Sequence, residues 1–264
     1  MQRPASLLFS WLLLSLFAFS SIPANAAIGD AEAVNLAGMQ RMLTQRIGAS
    51  YLMVGAEVRT QQANMQLDDS MSRYEENLQA LRSWAAARGT QEIQQQLQQL
   101  VNLWQPYRAL AMRSPDRTAA LQLIEMAEPL LQAAEELTLL IERHVAQPSS
   151  RLINLSGRQR MLSQRINMLY QARSWGVPVP QLETRLKDSI DAFDAALNEL
   201  RQSPENTPET LLMLDEATRQ WNFSRQGFDL STELRFVPTV ISSTTNQLLQ
   251  QMDQLTLSYV AAGS

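Results

Sequence analysis

From residue 30 onward apolar residues recur at three- and four-residue intervals, interrupted by Pro, Gly and Ser/Thr positions, and no stretch alternates as a strand would. The pattern predicts helices near 30–60, 64–88, 91–113 and 116–146, followed by a second set near 150–175, 179–202, 208–230 and 234–261. Gly89 and Gly176 suit helix C-caps, Thr207-Pro208 a helix start, and Ser114-Pro115 an N-cap followed by proline at the first helical position. The Gln-rich run from Gln91 to Gln99 keeps an apolar stripe through Ile93, Leu97, Leu100 and Trp104, so it reads as a solvated helix face. Short connections imply antiparallel neighbours.

The two sets are copies. Asn35-Leu36-Ala37-Gly38-Met39-Gln40-Arg41-Met42-Leu43-Thr44-Gln45-Arg46-Ile47 returns 119 residues later as Asn154-Leu155-Ser156-Gly157-Arg158-Gln159-Arg160-Met161-Leu162-Ser163-Gln164-Arg165-Ile166, identical at ten of thirteen positions. The same displacement aligns Leu67-Asp68-Asp69-Ser70 with Leu186-Lys187-Asp188-Ser189, and one of 118 aligns Leu130-Leu131-Gln132 with Leu248-Leu249-Gln250. The expected fold is therefore all-α: two tandem up-down-up-down four-helix bundles packed side by side, with units at 27–147 and 148–264 joined through Gln147-Pro148-Ser149-Ser150.

Residues 1–26 read as a targeting segment. Arg3 precedes an apolar run from Leu7 to Phe19, and Ala24-Asn25-Ala26 is a small-x-small cleavage site. The run is too short to span a bilayer as an anchor. A soluble, exported protein is predicted, periplasmic if the source is a double-membraned bacterium.

Composition then removes whole classes of chemistry. With no Cys and one His, there is no disulfide framework, thiol nucleophile or Cys-based zinc site. A net charge of −4 and no basic motif argue against nucleic acid. His144 fits the last turn of a helix, where it favours the dipole. Glu135-Glu136 and Asp68-Asp69 lack the Glu-x-x-His partner of a di-iron bundle, and Met39, Met42, Met53 and Met161 read as core filler. Trp84, Trp104, Trp175 and Trp221 are expected near bundle ends. No cofactor is implied and no nucleophile–base pair can be assembled, so an enzyme is the least favoured class.

The repeated motif is what remains. On a helical projection Leu36, Met39, Leu43 and Ile47 form a core stripe, whereas Gly38, Ala37, Arg41, Thr44, Gln45 and Gly48 share another face. In the second copy that face holds Gly157, Ser156, Arg160, Ser163, Gln164 and Asn167. A guanidinium among small and amide side chains suits a small planar anion, which accepts two parallel N–H donors. The alternative is an arginine at the surface or paired with Glu of a neighbouring helix.

Asn-Leu-(Ala/Ser)-Gly-x-Gln-Arg-Met-Leu-(Thr/Ser)-Gln-Arg resembles the P-box of periplasmic sensor domains in nitrate/nitrite sensor kinases of the NarX type. It is similar also to the N-terminal domain named after PilJ, the type IV pili methyl-accepting chemotaxis transducer. The resemblance implies a four-helix sensor bundle with the motif on its first helix. It further implies that two such helices pack together with one nitrate held between their arginines. Carried over by position, the anion-binding arginine is Arg41 and Arg160, the motif glycine Gly38 and Gly157, and the closing arginine Arg46 and Arg165; the amides of Gln45 and Gln164 on the same helical face complete the expected ligand-binding set. Leu36 and Leu155 depart from the pattern, standing where some nitrate sensors carry lysine. Such sensors normally continue into a transmembrane helix and a kinase or methyl-accepting module. The expectation is thus a binding protein for nitrate or nitrite, serving a separate membrane sensor kinase, chemotaxis transducer or transporter. The alternative is a structural protein of a membrane sensor or pilus-associated assembly that binds no small molecule.

Overall fold

The computed structural model describes residues 28–229 and 237–263. The 1–26 targeting segment lies outside the described residues, as do residues 230 and 234–236 of the expected seventh and eighth helices. The described residues form α1 (Asp30–Gly55), α2 (Thr60–Arg88), α3 (Gln91–Ala111), α4 (Arg117–Val145), α5 (Pro148–Trp175), α6 (Leu182–Arg201), α7 (Pro208–Asp229) and α8 (Pro238–Ala262).

The helix boundaries depart from the sequence pattern where tertiary contacts or capping side chains decide. α1 stops at Gly55 rather than running to 60, because the reversal that follows puts Glu57 and Arg59 in the left-handed region. Gly55 also lies so close to Trp175 that an added Cβ would fall 2.2 Å from the indole ring. The N-cap of α4 is Asp116, whose carboxylate accepts from Ala119 N at 2.8 Å, so Pro115 stays outside the helix and Ser114 does not cap it. α5 starts at Pro148 rather than 150, with proline at its first position. The connection between the two units is correspondingly only Ala146-Gln147, with Ala146 at φ 51°.

Two bundles stand side by side. α1 packs on α2, α4 and α5, while α5 packs on α6, α8 and α1; α3 and α7 lean on α4 and α8. Three pairings fix α1 and α5 as parallel and in register. Gly38 meets Gly157 with the Cα of Gly38 4.0 Å from a Cβ built on Gly157, Gly48 abuts Met168, and Gly55 abuts Trp175. A side chain at Gly55 would strike the Trp175 ring, one at Gly48 would displace the end of Met168, and one at Gly38 or Gly157 would crowd the guanidinium groups between the helices.

The contact explains why α1 has no exposed face. Twenty of its 26 residues are buried, against eight of 29 in the outer helix α2. Its Leu43 and Ile47 stripe fills its own bundle, and its polar, small-residue face is covered by α5.

The repeat is kept in detail within each core. Gln40 Nε2 donates to the Tyr74 carbonyl at 3.0 Å, and Gln159 Nε2 donates to the Phe193 carbonyl at 2.9 Å. Trp104 stacks on Tyr74 with centroids 3.9 Å apart, and Trp221 stacks on Phe193 at 4.1 Å. Those two tryptophans therefore sit at mid-height rather than at the bundle ends, because the ring partners stand on the middle turns of α2 and α6. Trp84 and Trp175 do lie at ends. Trp84 Nε1 donates to Asp30 at the start of α1, and His144 Nε2 hydrogen-bonds the Arg88 carbonyl at 2.8 Å where α2 ends.

Candidate functional site

The fourth turn of α1 and the corresponding turn of α5 bring Arg41 and Arg160 to the seam between the bundles. Both side chains are completely buried. Arg41 Nη1 pairs with Glu135 on α4, and its Nη2 donates across the seam to the Asn154 carbonyl on α5 at 3.2 Å. Arg160 Nη1 pairs with Asp253 on α8 at 2.7 Å, and its Nη2 donates across the seam to Asn35 Oδ1 on α1 at 2.8 Å. Each guanidinium thus holds an acid of its own bundle and an asparagine of the other. Both asparagines donate their amide to a glutamate, Asn35 to Glu32 and Asn154 to Glu142, but the symmetry is imperfect: Arg160 takes the side-chain oxygen of Asn35, whereas Arg41 takes the backbone carbonyl of Asn154 and leaves its Oδ1 buried without a partner.

The Nη2 atoms converge on the glycine contact. A Cβ built on Gly157 would lie 3.2 Å from Arg160 Nη2 and 3.3 Å from Arg41 Nη2, and one on Gly38 would lie 3.1 Å from Arg41 Nη2. Glycine at both positions is what admits two guanidinium groups between two helices. Each arginine keeps its Nε buried with no hydrogen-bond partner. Burial pulls Arg160 below the ordinary arginine pKa; Asp253 opposes that shift and neighbouring Arg41 adds to it.

The carboxylates that balance these charges are less enclosed, Glu135 being 32% and Asp253 37% exposed. Glu135 also lines a groove of about 480 Å³ between α4 and α5, together with Glu128, Leu131, Arg158 and Met161. The buried cations are therefore linked to the solvent boundary through partly exposed acids.

Of the six residues singled out in the sequence, Arg41, Arg160, Gly38 and Gly157 come together. Gln45 and Gln164 lie one turn further and bond neither arginine. Gln45 Oε1 faces Arg165 Nη1 at 3.5 Å, and Gln164 Nε2 reaches the Thr245 carbonyl at 3.5 Å. Asn35, Asn154, Glu135 and Asp253 complete the arrangement. The two asparagines open both copies of the motif, and the 118-residue displacement pairs Glu135 with Asp253, so both signals were present in the repeat. Among the described residues no three His, Asp or Glu side chains cluster as metal ligands would.

Glu32, beside this network, is pushed above the ordinary glutamate value by burial, against the hydrogen bond it accepts from Asn35 and the attraction of Arg160. Its folded pKa thus exceeds its unfolded one, so its contribution is most favourable below the unfolded value and is lost as pH rises through the folded value. Glu32→Gln is expected to flatten that part of the stability profile. Parallel melting curves for the two proteins between pH 4 and 7 would contradict this assignment of the proton.

Fold and seam together define a duplicated all-α domain whose two copies meet through their repeated motif helices. The chain belongs to the family described as Type IV pili methyl-accepting chemotaxis transducer N-term, PilJ, which matches residues 25–126 and 144–257. Comparison with curated proteins and with solved structures gives no match. Domains of this family are signalling rather than enzymatic, and are typically periplasmic sensor regions of membrane transducers. No described helix is long and apolar enough to cross a membrane.

Proposed function

We propose that the protein is an exported, periplasmic binding protein that takes one small planar oxyanion, nitrate or nitrite, between Arg41 and Arg160 and presents it to a separate signalling or transport partner. Units 27–147 and 148–264 each contribute half of the site, so that one polypeptide does what two sensor chains do in the nitrate-sensor kinases its motif resembles. The observation that carries this reading is the convergence of two fully buried guanidinium groups on the Gly38–Gly157 contact.

Ligand entry exchanges partners. An anion accepting from the arginines takes over donors now held by Glu135 and Asp253, which are exposed enough to rehydrate, and its charge lies between the two guanidinium groups and offsets part of their mutual repulsion. Binding is then linked to the α1–α5 seam, the most extensive helix contact in the molecule.

Calorimetry with nitrate, nitrite and chloride tests the reading. Arg41→Ala or Arg160→Ala is expected to weaken nitrate binding by about 10-fold to 100-fold, the worth of charged hydrogen bonds. At a free nitrate concentration 100 times the dissociation constant, stabilisation is about 2.7 kcal/mol and visible as a thermal shift. Equal shifts from nitrate and chloride at one ionic strength would mean generic screening. The second reading, a structural component that binds no small molecule, would then hold; it is favoured by the carboxylates and asparagines that already occupy both forks.

A further inference from the structure

The closing arginines of the two motif copies have different fates. Arg165 on α5 is held across the seam by Glu128 on α4 through two hydrogen bonds, at 2.9 and 3.2 Å, and Arg185 shares the same carboxylate. The repeat carries Arg165 back to Arg46, Arg185 back to Gln66, and Glu128 forward by 118 residues to Asn246. In the mirror position the acid has become an amide.

The consequence is visible on α1 and α8. Among the described residues no carboxylate lies within ion-pairing distance of Arg46, and its Nε is buried with no hydrogen-bond partner. Asn246 Oδ1 is likewise buried and unpartnered. The two helices run beside one another here: Ser242 Oγ, one turn from Asn246, contacts Met53 Sδ at 3.4 Å, and Arg46 feels the charge of Asp69 on α2, then of Arg73, and then of Asp253, two turns further on α8. A largely buried cation whose nearest acids stay beyond ion-pairing distance is costly, and Arg46 differs from Arg41 and Arg160 in being partly exposed, so a solute can reach it.

We propose that Arg46 and Asn246 form a second, one-sided anion site that takes the carboxylate group of a small organic acid in the place Glu128 fills opposite Arg165. The Nε–H and one Nη–H of Arg46 form a parallel donor edge that matches two carboxylate oxygens, and Asn246, with its amide turned over, supplies a further N–H. The site is independent of the Arg41–Arg160 pair, and its ligand carries the head group that the duplication removed.

Sodium acetate is the minimal probe, exchanged for sodium chloride at constant ionic strength. The arginine Nε–H resonances report the sites separately, Arg46→Met identifying the Arg46 signal by its loss. The Arg46 signal is expected to move progressively with acetate. In Asn246→Glu the built-in carboxylate competes at a high effective concentration and the acetate response should fall by about ten-fold or more. A static Arg46 signal in the wild type, as a water bridge between Arg46 and Asn246 would give, overturns the proposal; so does an undiminished response in folded Asn246→Glu. Glu128→Asn is the mirror experiment should Asn246→Glu fail to fold. An acetate response gained at Arg165 supports the site, and none gained overturns it. A nitrate response at Arg160 leaves this question untouched, so the two sites are judged separately.

Discussion

Replacing Arg160 by methionine is expected to destabilise the protein by about 2–4 kcal/mol, somewhat below the usual loss for breaking a buried ion pair because Asp253 can rehydrate. For a chain of this length that is a fall of about 5–12 °C in melting temperature. The side chain is completely buried, and its removal leaves Asp253 and Asn35 Oδ1 without their donor. The double variant Arg160→Met with Asp253→Leu should regain much of the loss, since replacing both members of such a pair by apolar groups of similar volume is often neutral. By contrast Arg88→Met, which breaks an exposed pair with Asp30, should cost less than about 1 kcal/mol. Thermal and urea denaturation of the four proteins decide. If Arg160→Met and Arg88→Met behaved alike, the seam arginines would be ordinary surface charges.

Trp221→Ala should be as damaging or worse, costing about 3–5 kcal/mol, because a large aromatic leaves a cavity that mid-bundle packing cannot close. Trp221 is 1% exposed, stacks on Phe193 and donates its indole N–H to Asp194. Trp221→Phe keeps the stacked face and loses the donor, so about 1–2 kcal/mol is expected. Because α5 ties the second bundle to the first along the whole seam, both bundles should unfold in one transition. Two resolved transitions in Trp221→Ala would show instead that the bundles are energetically separate.

The reach of the sequence differs between the outer and the inner helices. In α4 and α6 a clear apolar stripe faces the core and the opposite face is polar, so periodicity alone places them. In α1 and α5 it identifies only half of what is buried. Thr44, Gln45, Ser163 and Gln164 look like solvated positions, yet they are buried, because a second bundle covers them. Only small residues permit that approach, and Gly38, Gly48 and Gly157 were its trace in the sequence. The boundaries missed at Asp116 and Pro148 have plainer, local causes: the Asp116 carboxylate reaches the free Ala119 N–H and caps α4, whereas α5 starts without a capping side chain on a proline already set for the first helical position.

The sequence by itself determined the helical class, the duplication and its register, since identical segments at a fixed spacing impose equivalent helices whatever surrounds them. It also determined which arginines stand on the motif face. Only the tertiary structure decided what those arginines meet. Glu135, Asp253, Asn35 and Asn154 reach them from other helices, and the separation along the chain, from 93 residues for Arg160 and Asp253 to 125 for Arg160 and Asn35, carries no periodic signature. It decided, too, that Arg165 pairs with a carboxylate of α4 while, among the described residues, Arg46 has none within ion-pairing distance, for what a charge meets depends on which helix covers it, and the nearby chain does not encode that.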